Sequence, residues 1–153
     1  MSDPHLCALV NNLTPNILKL HLSCQQCFQD KHLNILVERC KNITELELTF
    51  TSITNESMKS IIKHLNCLEK LDVGYTDVDF ATLLQLKSIP TLNILRCFGQ
   101  DEDSEDFKNL KLQLPHISIN EEYLHIASPN DGDLEWIWEI RAKQQDLFPE
   151  AHQ

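Results

Sequence analysis

The chain has 153 residues, of which 13 are Lys or Arg and 23 are Asp or Glu, so its formal net charge is −10. This length is typical of a single domain, and 42% hydrophobic residues is ordinary for a globular protein and too many for a disordered one. The negative charge argues against a nucleic-acid partner, because phosphate backbones would repel it. We also expect no membrane-spanning segment, because no apolar run approaches about 20 residues.

The cysteines give little support to a metal site. Cys24 and Cys27 form a C-x-x-C pair, but a zinc finger needs a second ligand pair at a suitable spacing, and none follows. Cys40 and Cys67 are interpreted as packing residues. Because no signal peptide is recognisable, we expect reduced thiols and a protein of the nucleus and cytoplasm. Without a second ligand pair we expect no metal, and we expect no cofactor either.

One pattern, apolar-x-x-apolar-x-apolar, recurs along the chain. It begins at Ile17, Ile43, Leu68, Leu92 and, more weakly, Leu114, so that successive starts lie 26, 25, 24 and 22 residues apart. These spacings are typical of leucine-rich repeats. The last three residues of each pattern alternate as a half-buried strand does. The sequence therefore predicts an α/β leucine-rich-repeat solenoid of about five repeats, with a curved parallel sheet inside and helices outside. An unrelated α/β domain is the alternative.

Apolar residues at helical spacing follow each strand and are expected to face the sheet. These residues are Phe28, Leu33, Leu36, Val37 and Cys40; Met58, Ile61, Ile62 and Leu65; Phe80, Leu83, Leu84, Leu86 and Ile89; and, in a shorter segment, Phe107, Leu110, Leu112 and Leu114.

The two ends of the chain differ from the repeats. Residues 1–13 are predicted to form a short helix whose apolar face lacks a polar cap, so we expect the cut edge of a longer solenoid there. Repeats are predicted over residues 1–120, and a C-terminal tail over 121–153. The tail contains an amphipathic helix over 133–147.

The strand residues that point away from the core are expected to form the concave binding face. One predicted lateral row consists of His21, Glu47, Asp72, Arg96 and Ser118. Glu47 and Asp72 could hold a basic side chain of a partner, and Arg96 an acidic one. Pairing of Asp72 with Arg96 explains the same charges equally well.

An aromatic residue on this face is a second candidate contact. Phe98 is expected to lie beside a vacant position at Gly74, where it could anchor a partner or be covered by the tail. No catalytic constellation is recognisable, because the histidines are scattered and no serine lies in a nucleophile motif. We therefore expect a binding protein and not an enzyme.

Three segments resemble one known family. The strings IPTLNILRCFG (89–99), LPHISIN (114–120) and IWEIR (137–141) are similar to the C-terminal leucine-rich-repeat part of the F-box family of S-phase kinase-associated protein two, and the resemblance covers roughly 17–143. It implies the substrate-recognition portion of an SCF-type ubiquitin ligase specificity subunit. Its partners would be a Cks accessory protein and a phosphorylated cyclin-kinase inhibitor, which is marked for ubiquitin-dependent degradation.

The resemblance also implies individual contacts. It places partner-binding aromatics at Tyr75 and Tyr123 and a tail that folds back over the concave face. The family's basic residue after the first of these strands corresponds to Gln25 or Gln26, and its acidic residue at the end of the next strand is Phe50. No F-box segment is recognisable, so adaptor docking is not expected. A general leucine-rich-repeat interaction scaffold, or an F-box-less competitor of the complete subunit, is the alternative.

Overall fold

A computed structural model describes residues 1–121 of the chain, and residues 1–120 form one compact unit. Helices and strands alternate along it in the order α1 (Asp3–Asn12), β1 (Lys19–His21), α2 (Asp30–Arg39), β2 (Glu45–Glu47), α3 (Asn55–His64), β3 (Lys70–Asp72), α4 (Phe80–Leu83), β4 (Ile94–Arg96), α5 (Glu105–Gln113) and β5 (Ser118–Ile119). A 3₁₀-helix over Leu84–Ser88 continues α4. Within residues 1–121, no helix is both long enough and apolar enough to cross a bilayer.

The five strands form one parallel sheet in chain order. The central residues of neighbouring strands pair directly, so that Leu20, Leu46, Leu71, Leu95 and Ile119 form one continuous row. Strands pack about 4.8 Å apart and helices about 8–10 Å apart, so a stack of such units curves with its sheet on the inside. The predicted leucine-rich-repeat solenoid is confirmed.

The fifth repeat differs from the prediction by its register. Ser118 lies opposite Ile94, and Leu114 does not begin the strand pattern but ends helix α5, as Ile89 ends the 3₁₀-helix before it. Ile117 is the equivalent of Leu92 in this turn, because the amide of each residue donates a hydrogen bond to the carbonyl three residues before it. Counted from Ile117, the last spacing is 25 residues, in line with the others.

The helical residues predicted to face the sheet are mostly buried, with one exception in α5. Phe107 and Leu110 are buried, whereas Leu112 is 74% exposed. The prediction for Leu112 was wrong because two residues turn a helix by about 200°, which places Leu112 on the side opposite Leu110. Helix α4 is also shorter than predicted, since its second half is 3₁₀.

The cysteines divide into buried and exposed groups. Cys40 and Cys97 are fully buried, and burial raises the pKa of the Cys97 thiol to about 12. The packing interpretation is confirmed for Cys40 but was wrong for Cys67, which is exposed like Cys24 and Cys27. Cys67 follows the end of α3 in a turn, whereas Cys40 ends α2 and points into the core.

The predicted N-terminal helix is confirmed, and it packs on α2. Leu6 and Val10 are fully buried, and the polar contact between the two helices is made by Asp3. Its Oδ1 lies 2.7 Å from Nζ of Lys31 and 2.9 Å from Nε2 of the buried His32. The hydrogen bond from Lys31 lowers the pKa of Asp3. That this end is the cut edge of a longer solenoid stays a prediction.

A ladder of side-chain hydrogen bonds aligns the helix N-termini. Asp30, the first residue of α2, accepts hydrogen bonds from the amide of Thr54 (2.9 Å), the Thr54 hydroxyl (2.7 Å) and the Ser57 hydroxyl, and Thr54 is the N-cap of α3. Asn55 and Asp79 bond reciprocally in the same way, at 3.0 and 3.1 Å, and Asp79 is the N-cap of α4. Consecutive repeats are therefore joined on the helical side as well as through the sheet.

We predict that Asp30→Ala lowers the free energy of unfolding by about 1–3 kcal/mol, because three donors lose their acceptor. Burial alone would raise the pKa of Asp30, but the hydrogen bonds from Ser57 and Thr54 hold it below its ordinary value of 3.8. A carboxyl whose pKa is lower in the folded chain stabilises the fold at a pH above its unfolded pKa. This stabilisation is lost as the pH falls through the pKa of the folded chain. The deficit of the variant should therefore shrink in acid.

Urea unfolding at neutral and acid pH measures this difference. Asp103→Ala, which removes an exposed carboxylate in the turn before α5, is the matched control and should leave the midpoint unchanged. An Asp30→Ala midpoint equal to that of the control would contradict the role of the ladder.

Candidate protein-binding face

A lateral row of polar side chains crosses the inner face of the sheet. Strand pairing places His21 opposite Glu47, Glu47 opposite Asp72, and Asp72 opposite Arg96. These four members of the predicted row are confirmed. The fifth was wrong: the shifted register of β5 places Asn120, and not Ser118, beside Arg96, and the Asn120 side chain accepts a hydrogen bond from the Cys97 amide.

The guanidinium of Arg96 lies near both carboxylates of the row. Its Nη1 is 3.6 Å from Oε1 of Glu47 and 3.8 Å from Oδ2 of Asp72. Glu47 and Asp72 are each only 8% exposed, and Asp72 also accepts a hydrogen bond from the Gly74 amide at 2.9 Å. Of the two interpretations of these charges, the structure favours pairing within the chain, although Arg96 serves both carboxylates and not Asp72 alone.

The electrostatics of the row depend on how well each carboxylate is compensated. Burial raises the pKa of Glu47, and the nearby Asp72 charge adds to the increase, while His21 and Arg96 oppose it. Burial also acts to raise the pKa of Glu45, but the hydrogen bond from Lys19 and the Lys70 charge outweigh it and lower the pKa. Strand β2 thus carries one well-compensated glutamate, Glu45, and one poorly compensated glutamate, Glu47.

A second lateral row lies three residues beyond each strand and has an unusual backbone. Cys24, Phe50, Tyr75 and Gly99 follow β1 to β4 at this distance, and all four have positive φ angles, of 65°, 57°, 52° and 96°. The amides of the first three bond carbonyls of the next repeat, at 2.7–3.1 Å. A left-handed conformation costs a bulky residue about 1–3 kcal/mol, and such strain is found where the surroundings impose it.

Two aromatic rings stack in this second row. The ring centroids of Phe50 and Tyr75 lie 4.5 Å apart with an interplanar angle of 8°. A Cβ at Gly99 would lie 2.6 Å from Cδ1 of Tyr75, so only glycine lets the Tyr75 ring cover this backbone. We call Phe50, Tyr75 and Gly99 the aromatic ledge. Phe50 is 8% exposed, while Tyr75 is 40% exposed.

The remaining predicted site residues have different outcomes. Phe98 is half-buried, but the position beside it is not vacant: a Cβ at Gly74 would lie 3.2 Å from Oδ1 of Asp72 and 3.4 Å from the Phe98 amide nitrogen. The expected vacancy was wrong because the Asp72 carboxylate and the Phe98 backbone fill it. Tyr123 and the predicted tail helix lie outside the described residues. Phe50 belongs to the aromatic ledge, and its uncharged side chain cannot form an ion pair with a partner.

The inner face therefore offers two kinds of contact. The charged row is largely satisfied by its own pairs, which favours specificity over affinity. The ledge offers a partly exposed, rigid aromatic ring, which is the residue type that dominates binding energy at protein interfaces. The sequence contained a signal for the ledge that was missed: Phe50, Tyr75 and Gly99 recur at the repeat spacing.

Residues 1–145 match the family described as SKP2 LRR domain. The chain belongs to this family. The match includes the whole described part of the chain, and it confirms the resemblance to the leucine-rich-repeat part of S-phase kinase-associated protein two. An SKP2-type leucine-rich-repeat domain is a recognition module, and leucine-rich-repeat domains generally bind other proteins on their inner face.

We predict that Arg96→Met destabilises the fold by about 3 kcal/mol near pH 7, because it removes the cation that lies beside two buried carboxylates. It should raise the pKa of Glu47 further, because Arg96 is one of the charges that lower it. A carboxyl whose pKa is higher in the folded chain than in the unfolded chain stabilises the fold at a pH below its unfolded pKa, here 4.5. This stabilisation is lost as the pH rises through the pKa of the folded chain. The deficit of the variant should thus shrink between about pH 7 and about pH 5.

Urea midpoints at the two pH values measure this deficit. Lys87→Met, which removes a positive charge from the 3₁₀-helix, is the control for net charge and should show no such pH dependence. If Arg96→Met lowers the free energy of unfolding equally at both pH values, the Glu47 carboxylate is not the charge that Arg96 compensates.

We predict that Gly99→Ala lowers the free energy of unfolding by at least about 1–2 kcal/mol, the cost of the left-handed conformation, and displaces the Tyr75 ring. Gly74→Ala is the matched control, because its Cβ makes only one contact as short as 3.2 Å. The near-ultraviolet circular dichroism of tyrosine should change in Gly99→Ala alone. Equal stability and equal spectra of the two variants would contradict the packing of the ledge.

Proposed function

We propose that this chain is the substrate-recognition part of an SCF-type ubiquitin ligase specificity subunit, which acts by binding and not by catalysis. Its ligands would be a Cks accessory protein and a phosphorylated cyclin-kinase inhibitor, which is thereby delivered for ubiquitin-dependent degradation. It would work in the nucleus and cytoplasm. The membership of residues 1–145 in the SKP2 LRR domain family is the observation that carries the proposal.

The geometry of the inner face supports a protein ligand. The aromatic ledge lies at the ends of adjacent strands, where it is held by cross-repeat backbone bonds and by Gly99. A ring fixed in this way loses little conformational entropy when a partner covers it. Next to it, the charged row presents Glu47, Asp72 and Arg96 in fixed positions that discriminate among partner charges.

The divergence of the polar contacts favours one alternative, a leucine-rich-repeat scaffold with a different partner. Where the resemblance implies an acidic residue, Phe50 instead stacks on Tyr75 and is almost wholly buried. Where it implies a basic residue, the chain has Gln25 or Gln26. A partner that needs those two charges would lose both contacts here, and each charged hydrogen bond contributes about 1.5–3 kcal/mol.

Calorimetric titration of the purified chain with the Cks protein of the same organism distinguishes these functions. We predict binding in the micromolar range or tighter, weakened about tenfold or more by Tyr75→Ala, because truncating a central aromatic anchor costs 1.4 kcal/mol or more. Tyr123→Ala tests the second aromatic in the same way. Leu112→Ala is the matched control, since Leu112 is an exposed apolar residue on the helical side.

The outcomes separate the two functions. Circular dichroism must first show that every variant is folded. If the folded wild-type chain gives no binding heat, the Cks proposal is wrong, and the result favours a scaffold with a different partner. Equal weakening by Tyr75→Ala and Leu112→Ala would show that the inner face is not the interface.

A further inference from the structure

A histidine and two glutamates converge at the boundary between β1 and β2, on the inner face of the sheet. His21 projects from β1, and Glu45 and Glu47 project from the same side of β2. Nε2 of His21 is 3.2 Å from Oε1 of Glu45, and its Nδ1 is 3.7 Å from Oε2 of Glu47. One ligand atom from each of the three side chains therefore lies within 4.8 Å of the other two.

The opposite oxygens of both carboxylates are oriented by cations. Oε2 of Glu45 lies 3.3 Å from Nζ of Lys19, and Oε1 of Glu47 lies 3.6 Å from Nη1 of Arg96. Each glutamate thus directs one oxygen outward to a positive charge and the other toward His21. Outer contacts of this kind fix the orientation of ligands in protein metal sites.

Both ring nitrogens of His21 face carboxylate oxygens, which a neutral imidazole satisfies poorly. In the neutral ring only one nitrogen carries a hydrogen, and the lone pair of the other would face an oxygen that can only accept. Either a second proton on the ring or a cation held by one imidazole nitrogen and one oxygen of each glutamate removes this conflict. The side chains of His21 and Glu45 are 40% and 17% exposed, so an ion has access from solvent.

We propose that His21, Glu45 and Glu47 form a binding site for a divalent transition-metal ion such as Zn²⁺. One imidazole nitrogen and one oxygen from each glutamate are ligands that Zn²⁺ accepts, and they lie within 4.8 Å of one another, so that small side-chain rotations bring them to a single ion. Three protein ligands leave a coordination position open, as in exchangeable zinc sites. The ion would add positive charge to the charged row and offer that position to an oxygen atom of a bound partner. This site goes beyond the proposed function and does not depend on it.

A second cluster, formed by Asp3, Cys7 and His32, fits a metal less well. Nδ1 of His32 accepts a hydrogen bond from the Gln29 amide at 2.9 Å, so that Nε2, which faces Asp3, carries the hydrogen of the neutral ring. A nitrogen that keeps its hydrogen cannot coordinate a metal. The Asp3 carboxylate already forms an ion pair with Nζ of Lys31. This cluster therefore holds α1 on α2 and serves as an internal control.

Titration of the full chain with Zn²⁺ under reducing conditions, followed by calorimetry, tests the site. We expect one ion bound by this cluster, loss of that binding in His21→Ala, and at least about tenfold weaker binding in Glu45→Gln. The ion should also raise the thermal midpoint of the wild-type chain but not that of His21→Ala, because only a ligand of the folded state stabilises it. Glu45→Gln preserves the shape of the side chain, so a result from this variant does not depend on His21→Ala remaining folded.

Three controls identify the ligands. His116→Ala removes another exposed histidine and should bind Zn²⁺ as the wild type does, as should Cys7→Ser. The double variant Cys24→Ser/Cys27→Ser tests the exposed C-x-x-C pair near the site. With Co²⁺ in place of Zn²⁺, ligation by nitrogen and oxygen should give no thiolate charge-transfer absorption.

Each adverse outcome overturns the proposal. Absence of binding, binding that survives both His21→Ala and Glu45→Gln, or binding that disappears in the cysteine double variant would each show that these three side chains do not form a metal site. None of these outcomes affects the Cks titration, which uses the metal-free chain.

Discussion

Each repeat of this protein can bury its apolar residues only against the next repeat. A strand of three residues and a helix of about ten have too little surface to enclose a core, so the row of Leu20, Leu46, Leu71, Leu95 and Ile119 exists only as a continuous column. The column fixes the strand register, and the register decides which polar side chains meet on the inner face. On the opposite side, the hydrogen bonds of Asp30 and the pair of Asn55 with Asp79 impose the same spacing on the helices.

The inner face divides into two regions because buried charge and buried aromatic surface have different requirements. Glu47 and Asp72 lie in a row that neighbouring strands shield from water, so they need Arg96 close by. Beyond the strand ends the backbone turns through the left-handed region, and there ring stacking and a glycine replace charge pairing. The first region presents fixed charges, and the second presents apolar contact area.

Family membership and local chemistry carry different parts of the functional argument. Membership in the SKP2 LRR domain family rests on a match over residues 1–145, a range that includes the whole buried core of the described part. The choice of partner rests on a few side chains of the inner face, and among these the buried Phe50 stands where the resemblance implies an acidic residue. A family match over the repeats can therefore place the chain in its family without settling what it binds.

The sequence alone determined the repeat, the parallel α/β solenoid and four members of the charged row. Repeat spacing and two-residue alternation set the register wherever the apolar pattern is strong. Where the pattern is weak, the prediction was wrong. Leu114 resembles the start of a strand but lies at a helix end, and Asn120 occupies the place in the row that was predicted for Ser118. Only the tertiary structure decided that Arg96 compensates both carboxylates, that the place beside Phe98 is filled, and that Phe50 and Tyr75 form a ledge on Gly99. Those outcomes depend on distances between repeats, about 25 residues apart in the chain, and a pattern along one strand does not contain such distances.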